Sequence, residues 1–131
     1  MVTLDSSAVI ELSNRAAPQH QRVRAALLQA GRPYFIPCGV LAEITFLLER
    51  ASAHAADAFL SDLQSGRYTL DCGERDFARI RQLVERYADL PLGAADASVI
   101  ACAERHGGRV LTLDRRDFGV VAREGALTLL P

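Results

Sequence analysis

Apolar positions along the chain fall into short runs that alternate with longer stretches at helical spacing. Val2-Thr3-Leu4 is a short extended run, and Ser6-Ser7 behind it can cap a helix reaching about Leu12. Between Pro18 and Ala30, Val23, Ala26, Leu27 and Ala30 form a helical stripe that Gly31 ends. Tyr34-Phe35-Ile36, held between two prolines, is extended. Val40 to Arg50 and Ala51 to Leu63 predict two helices, the second ending near Gly66. Arg67 to Leu70 predicts a strand, and Phe77, Ile80, Leu83, Val84 and Tyr87 space a helix over Arg75 to Tyr87. Ala94 to His106 is a helix of small residues stopped by Gly107-Gly108. Arg109 to Leu113 predicts a strand, a short helix starts at Asp117, and Leu127-Thr128-Leu129 closes the chain as a last strand.

Strands that alternate with helices imply parallel β-α-β units and a sheet covered on both faces. Ligands of such open sheets gather at the carboxyl ends of the strands. With 131 residues the chain suits one domain. No repeat, linker or low-complexity tract interrupts it, and no apolar run is long enough to span a bilayer. The start Met1-Val2-Thr3-Leu4-Asp5 lacks the basic region of a signal peptide. Cys38, Cys72 and Cys102 are far apart in sequence, among apolar or small neighbours, without the pairing of a structural zinc site. They are expected to be reduced core thiols of a cytoplasmic protein.

The carboxylates change the picture. Asp5 follows the first strand and Asp114 follows the strand ending at Leu113, so both stand at carboxyl ends that can face one crevice. Asp96 lies in the first turn of the small-residue helix, and Asp117 is three residues beyond Asp114. Each has an ordinary structural use: Asp5 as a helix cap, Asp114 in an Asx turn, Asp96 at a helix N-terminus. Glu43 has apolar residues on both sides, where burying an ionised carboxylate is costly without a cation or donor nearby. Acids packed within about 4–6 Å of one another raise each other's pKa unless a cation neutralises them. Hard oxygen ligands without His or Cys select Mg²⁺ or Mn²⁺ over zinc, and such a site suits phosphodiester hydrolysis by activated water.

Four segments carry a resemblance: Leu4-Asp5-Ser6-Ser7-Ala8-Val9-Ile10, Leu41-Ala42-Glu43-Ile44, Leu92-Gly93-Ala94-Ala95-Asp96-Ala97-Ser98-Val99-Ile100-Ala101, and Leu111-Thr112-Leu113-Asp114-Arg115-Arg116-Asp117-Phe118. They resemble the four blocks of PIN-domain nucleases. The length and block spacing are most similar to the VapC-type toxins of bacterial toxin–antitoxin pairs. The resemblance implies a single PIN domain over residues 1–131, an α/β fold of three layers, α/β/α, around a central parallel sheet. It implies an Mg²⁺- or Mn²⁺-dependent endoribonuclease that inhibits translation and growth. Asp5, Glu43, Asp96 and Asp114 match the catalytic acids. Asp5, Asp96, Asp114 and Asp117 match the metal ligands. Ser6 and Thr112 match small hydroxyls that support those ligands. A cognate antitoxin and a homodimer are the partners the resemblance implies. Two alternatives stay open: a PIN nuclease with a non-toxin role in RNA processing, and a catalytically silent PIN-like module that acts by protein contacts.

An RNA substrate needs basic flanks around an acidic site. Arg115 and Arg116, between Asp114 and Asp117, are the first candidates for phosphate contact, and Arg15 follows the first block. Arg22 and Arg24 fit a solvated helix face as readily as the mouth of a site. Tyr34, Phe35, Phe46, Phe59, Phe77, Tyr87 and Phe118 are expected in the core rather than stacked on bases. His106 suits a helix C-terminus. All 15 basic residues are Arg and none is Lys, which argues against receiver-like domains and phosphatases that rely on a Lys beside a phosphorylated Asp. The formal charge of −1 conceals segregation. Of 16 acids, five are assigned to one crevice, which leaves 11 against 15 Arg and a remainder of +4.

Overall fold

The computed structural model describes residues 1–125 and 127–131. Its five strands are β1 (Val2–Leu4), β2 (Tyr34–Pro37), β3 (Thr69–Asp71), β4 (Arg109–Leu111) and β5 (Thr128–Leu130). They form one parallel sheet in the order β3-β2-β1-β4-β5. The seven helices are α1 (Ser6–Leu12), α2 (His20–Ala30), α3 (Cys38–Ala51), α4 (Ala53–Gln64), α5 (Phe77–Arg86), α6 (Ala94–Arg105) and α7 (Arg115–Glu124). They flank the sheet in the expected α/β/α layers. No helix among the described residues is long and apolar enough to cross a membrane.

Strand order reverses between β1 and β4, the sheet's centre. In open parallel sheets the crevice for ligands lies at such a reversal, outside the carboxyl ends. The register pairs Leu4 with Leu111, so the chain leaves β1 at Asp5 level with the exit from β4 at Thr112. The Asp5 N–H donates to the Leu111 carbonyl at 3.1 Å, which locks that level.

Leu4, Ile36, Ile44, Leu48, Leu83, Ile100, Leu111 and Phe118 are fully buried. Burying side chains of this size stabilises a fold by roughly 1.5–3 kcal/mol each. Helix α6 lies over β1, β2 and β4 and also against α3 and α5. Its small residues make that crowding possible: Ala97, Ala101, Cys102 and Ala103 are all buried.

Several boundaries differ from the sequence pattern. Strand β3 starts at Thr69 rather than Arg67, because Gly66 takes a left-handed φ of 80° and the Tyr68 N–H is bonded back to Asp62 at 3.1 Å. Strand β4 ends at Leu111, two residues early, where Thr112 Oγ1 accepts the Asp114 N–H and turns the chain. Helix α7 starts at Arg115, not Asp117, because Asp114 is its cap and its side chain accepts the Asp117 N–H. Ser6 and Ser7 stand inside α1, with Asp5 at the cap position. Two aromatics expected in the core are exposed. Phe46 lies off the Val40, Ile44, Leu48 stripe of α3, and Phe77 opens α5 ahead of its buried Leu83. The cysteine expectation holds only for Cys102; Cys38 is half-buried and Cys72 exposed, and all three are free thiols.

Candidate active site

Asp5 sits at the crevice floor, 4 % exposed, and a buried carboxylate there requires donors. Two hydroxyls supply them, and a third stands close by. Thr112 Oγ1 donates to Oδ2 at 2.9 Å, Ser7 Oγ donates to the same oxygen at 2.8 Å, and Ser6 Oγ lies 3.5 Å from Oδ1. Ser6 Oγ also donates to Glu43 Oε1 at 2.7 Å, joining the start of α1 to α3. Thr112 Oγ1 accepts the Asp114 N–H at 2.9 Å while it serves Asp5. Ser6 and Thr112 thus stand in hydrogen-bond contact with the acids beside them.

Ser7 is the residue sequence reasoning missed. Its hydroxyl bonds Asp5, accepts the Leu113 N–H at 3.0 Å, and lies 3.3 Å from Thr112 Oγ1. The signal was available in the Asp5-Ser6-Ser7 run. A second hydroxyl two residues past a helix-capping acid reaches back to its carboxylate.

Asp96, in the first turn of α6, is half-buried. Burial first, and then the charges of Asp5, Asp114, Asp117 and Glu43, push its carboxyl from 3.8 up to about 6. The five acids named from sequence thus share one electrostatic field. Glu43 reaches it differently from the sequence expectation. It is exposed, since it lies off the buried Val40, Ile44, Leu48 face of α3, as its neighbour Ala42 does. Asp117 is 7 % exposed, and its Oδ1 is buried without a hydrogen-bond partner among the described residues.

The partnerless Asp117 oxygen and the Asp96 carboxyl among four other acids are groups that a bound cation would satisfy. Hard oxygens from Asp5, Asp96, Asp114 and Asp117 suit Mg²⁺ or Mn²⁺. Their spacing is open. Among the described residues the one set of three ligand side chains with atoms within 4.8 Å of one another is Asp71, Cys102 and His106, not the five acids. Mutual repulsion spreads carboxylates, and Mg²⁺ retains several waters, so an open arrangement agrees with that ion. The Asp71 group is already satisfied: Arg105 grips Asp71 at 2.6 Å, His106 Nε2 lies 2.8 Å from it, and burial pushes the Cys102 thiol up to about 11. Phe35 stacks on the His106 ring at 3.8 Å. His106 caps the C-terminus of α6, as expected, and takes no place beside the acids.

The basic candidates divide. Arg115 and Arg116 are exposed in the first turn of α7, next to Asp114, and Arg115 also donates to the Pro131 carbonyl. Arg15 is exposed beyond the C-terminal end of α1, where it lines a cavity of about 650 Å³ with Leu12, Leu47, Phe59 and Tyr68. None of the five acids lines that cavity. Charge and ligand chemistry, rather than size, mark the crevice.

Residues 2–124 match the family model of the PIN domain. The chain belongs to the PIN domain family. It is of the VapC type: it is 30% identical to Ribonuclease VapC26 of Mycobacterium tuberculosis, with 98% of each chain covered. Solved structures share this PIN domain's fold. The VapC20 toxin of M. tuberculosis, which cleaves the sarcin-ricin loop, superposes with a TM-score of 0.73 over the whole of both chains at 20% identity. A toxin–antitoxin complex from Klebsiella pneumoniae gives 0.69 over 90% of each chain at 22% identity. FitAcB from Neisseria gonorrhoeae gives 0.64 at 19% identity, over 100% of this chain and 97% of the other.

Proposed function

We propose that this protein is a divalent-metal-dependent endoribonuclease acting as the toxin of a VapBC-type pair. The observation that carries the reading is the Asp96 carboxyl, raised to about 6 by burial and by four other acids at the sheet's switch point. A structural acid at a helix N-terminus is stabilised in its charged form. Asp96 is shifted the opposite way, first by burial and then by the four other acids, and a cation held among them would relieve that repulsion.

A bound Mg²⁺ or Mn²⁺ would polarise the scissile phosphoryl group and lower the pKa of a coordinated water. The chain's own residues do the rest. Asp5, Asp96, Asp114 and Asp117 would hold the cation. Glu43, exposed and oriented by Ser6, is free to take a proton from the attacking water. Thr112, Ser6 and Ser7 fix Asp5 so that binding costs little rearrangement. Arg115 and Arg116 draw the RNA backbone toward the acids.

The ribonuclease name of the 30% identical relative supports RNA as the substrate. The toxin–antitoxin complex among the structural neighbours supports a cognate antitoxin that silences the protein. A homodimer in the cytoplasm, with growth arrest through loss of translation, completes the proposal. The test is cleavage of total RNA by purified protein with Mg²⁺ or Mn²⁺, with excess chelator, and with Asp96→Asn. Metal-dependent cleavage that Asp96→Asn abolishes is expected. Equal cleavage in all three samples overturns the proposal, and so does a folded wild type that neither cleaves RNA nor gains thermal stability from metal.

A further inference from the structure

Cys38 and Cys72 are distant in sequence but meet at the carboxyl edge of the sheet. Strands β2 and β3 are parallel, and their last paired residues are Pro37 and Asp71. The residue that follows each strand is a cysteine, Cys38 at the start of α3 and Cys72 after β3. Neighbouring strands run about 4.8 Å apart, inside the Cα separation of about 4.4–6.8 Å that a disulfide spans. The two thiols are close enough that Cys72 raises the Cys38 thiol. Both line a cavity of about 380 Å³ with Gly39, Phe77, Ala94 and Ala95. Cys72 is exposed and Cys38 half-buried, so oxidants reach the pair. The third thiol, Cys102, is 1 % exposed and lies 3.5 Å from Thr3 Oγ1, out of reach of both oxidant and partner.

We propose that Cys38 and Cys72 form a redox-active dithiol that hydrogen peroxide closes to an intramolecular disulfide. The exposed Cys72 sulfur donates an electron pair to one peroxide oxygen, the O–O bond breaks, and water leaves a sulfenic acid behind. The Cys38 sulfur then attacks the Cys72 sulfur, the S–O bond breaks, and a second water leaves with the S–S bond formed. Two electrons pass from the thiols to the peroxide, and both thiol protons end in water. Burial first, and then Cys72, Asp71 and Glu74, raise the Cys38 thiol, so closure quickens as pH rises. The bond ties the start of α3, the helix that carries Glu43, to the end of β3.

The test is native oxidation of the full chain with hydrogen peroxide, alkylation of the remaining thiols, and peptide mapping with trypsin. Cleavage after arginine, blocked at Arg32-Pro33, places the cysteines in three peptides: Ala25 to Arg50, Tyr68 to Arg75, and Tyr87 to Arg105. The expected product links the first two within one chain, leaves Cys102 alkylated, and reverts with dithiothreitol. Cys72→Ser should abolish the link. Three alkylated thiols after peroxide, a Cys72 driven to sulfinic acid with Cys38 still free, or a link only between two chains each overturns the proposal.

Discussion

Thr112 Oγ1 donates to Asp5 Oδ2 at 2.9 Å and accepts the Asp114 N–H at the same distance. One hydroxyl thus orients an acid after β1 and the backbone of an acid after β4. Thr112→Val keeps the shape and removes both bonds. A buried carboxylate that loses a donor costs about 1–3 kcal/mol, and loss of such support around metal ligands lowers affinity or activity by roughly 10–100-fold. Thermal unfolding and Mn²⁺ titration of the variant measure the two effects. An unchanged Mn²⁺ affinity would show that Thr112 only caps the turn.

The Asp96 carboxyl sets a pH dependence. Its folded value, about 6, lies above the ordinary 3.8, so the folded state binds the proton more tightly than the unfolded chain. Stability from this group is fully present below about 3.8 and is lost as pH rises through about 6. Metal-free protein should therefore melt at a higher temperature near pH 5 than near pH 7.5, as far as Asp96 governs the change. Asp96→Asn should flatten that slope and, without metal, be more stable than wild type at pH 7.5. Added Mg²⁺ should stabilise the wild type and leave Asp96→Asn nearly unmoved. Thermal melts across pH, with and without metal, read all three outcomes, and a steeper slope in Asp96→Asn would contradict the shared field.

Legibility of this site divided along a physical line. Asp5, Asp96 and Asp114 could be read from the chain because their positions follow from element order: strand ends and a helix start are local features. Thr112 and Ser6 came only through the family resemblance. The bond from Ser7 to Asp5 is local and could be read from the Asp5-Ser6-Ser7 run, but its bond to the Leu113 N–H depends on β1 and β4 lying side by side, a contact spanning 106 residues. The alternating pattern showed the three layers, but the order β3-β2-β1-β4-β5 had to come from the structure. The exposure of Glu43, Phe46 and Cys72 was hidden for a related reason. Apolar neighbours in sequence sit on other faces of a helix or past a strand's end.

Arg105 predicts a stability effect away from the acids. It bonds Asp71 at 2.6 Å and Asp76 at 2.7 Å, and its hydrogen bond holds the Asp71 carboxyl below the ordinary value against the opposing effect of burial. The arginine is 40% exposed while the two acids are 13% and 10% exposed, so its removal strands two carboxylates more buried than itself. Arg105→Ala should cost about 1–3 kcal/mol, part of the attraction being screened by solvent. Because the Asp71 carboxyl is lowered on folding, its contribution is present above 3.8 and lost as pH falls through the folded value. Urea unfolding near neutral pH and near pH 3 should show the variant's deficit shrinking in acid. A deficit that stays the same in acid would mean the pair contributes packing rather than charge.

Gly39 tests how tightly α3 and α6 are set around Asp96. A Cβ at position 39 would stand 2.1 Å from Ser98 Oγ and 2.7 Å from Ser98 Cβ. Rotation of the hydroxyl relieves the first contact but not the second, so one helix must move. Ser98 is two residues beyond Asp96, and its hydroxyl bonds the Ala95 carbonyl at 2.6 Å, which places the strain in the turn that presents the acid. Gly39→Ala should destabilise by about 1–3 kcal/mol, the ordinary cost of overpacking, and lower RNA cleavage beyond what the fraction unfolded explains. Ser98→Gly alone weakens the helix by up to about 1 kcal/mol. Combined with Gly39→Ala it removes both colliding atoms, so the double variant should recover much of the activity that the first substitution lost. A double-mutant cycle on unfolding free energy and on cleavage rate measures that coupling, and strictly additive effects would show that the close approach of the two helices does not position Asp96.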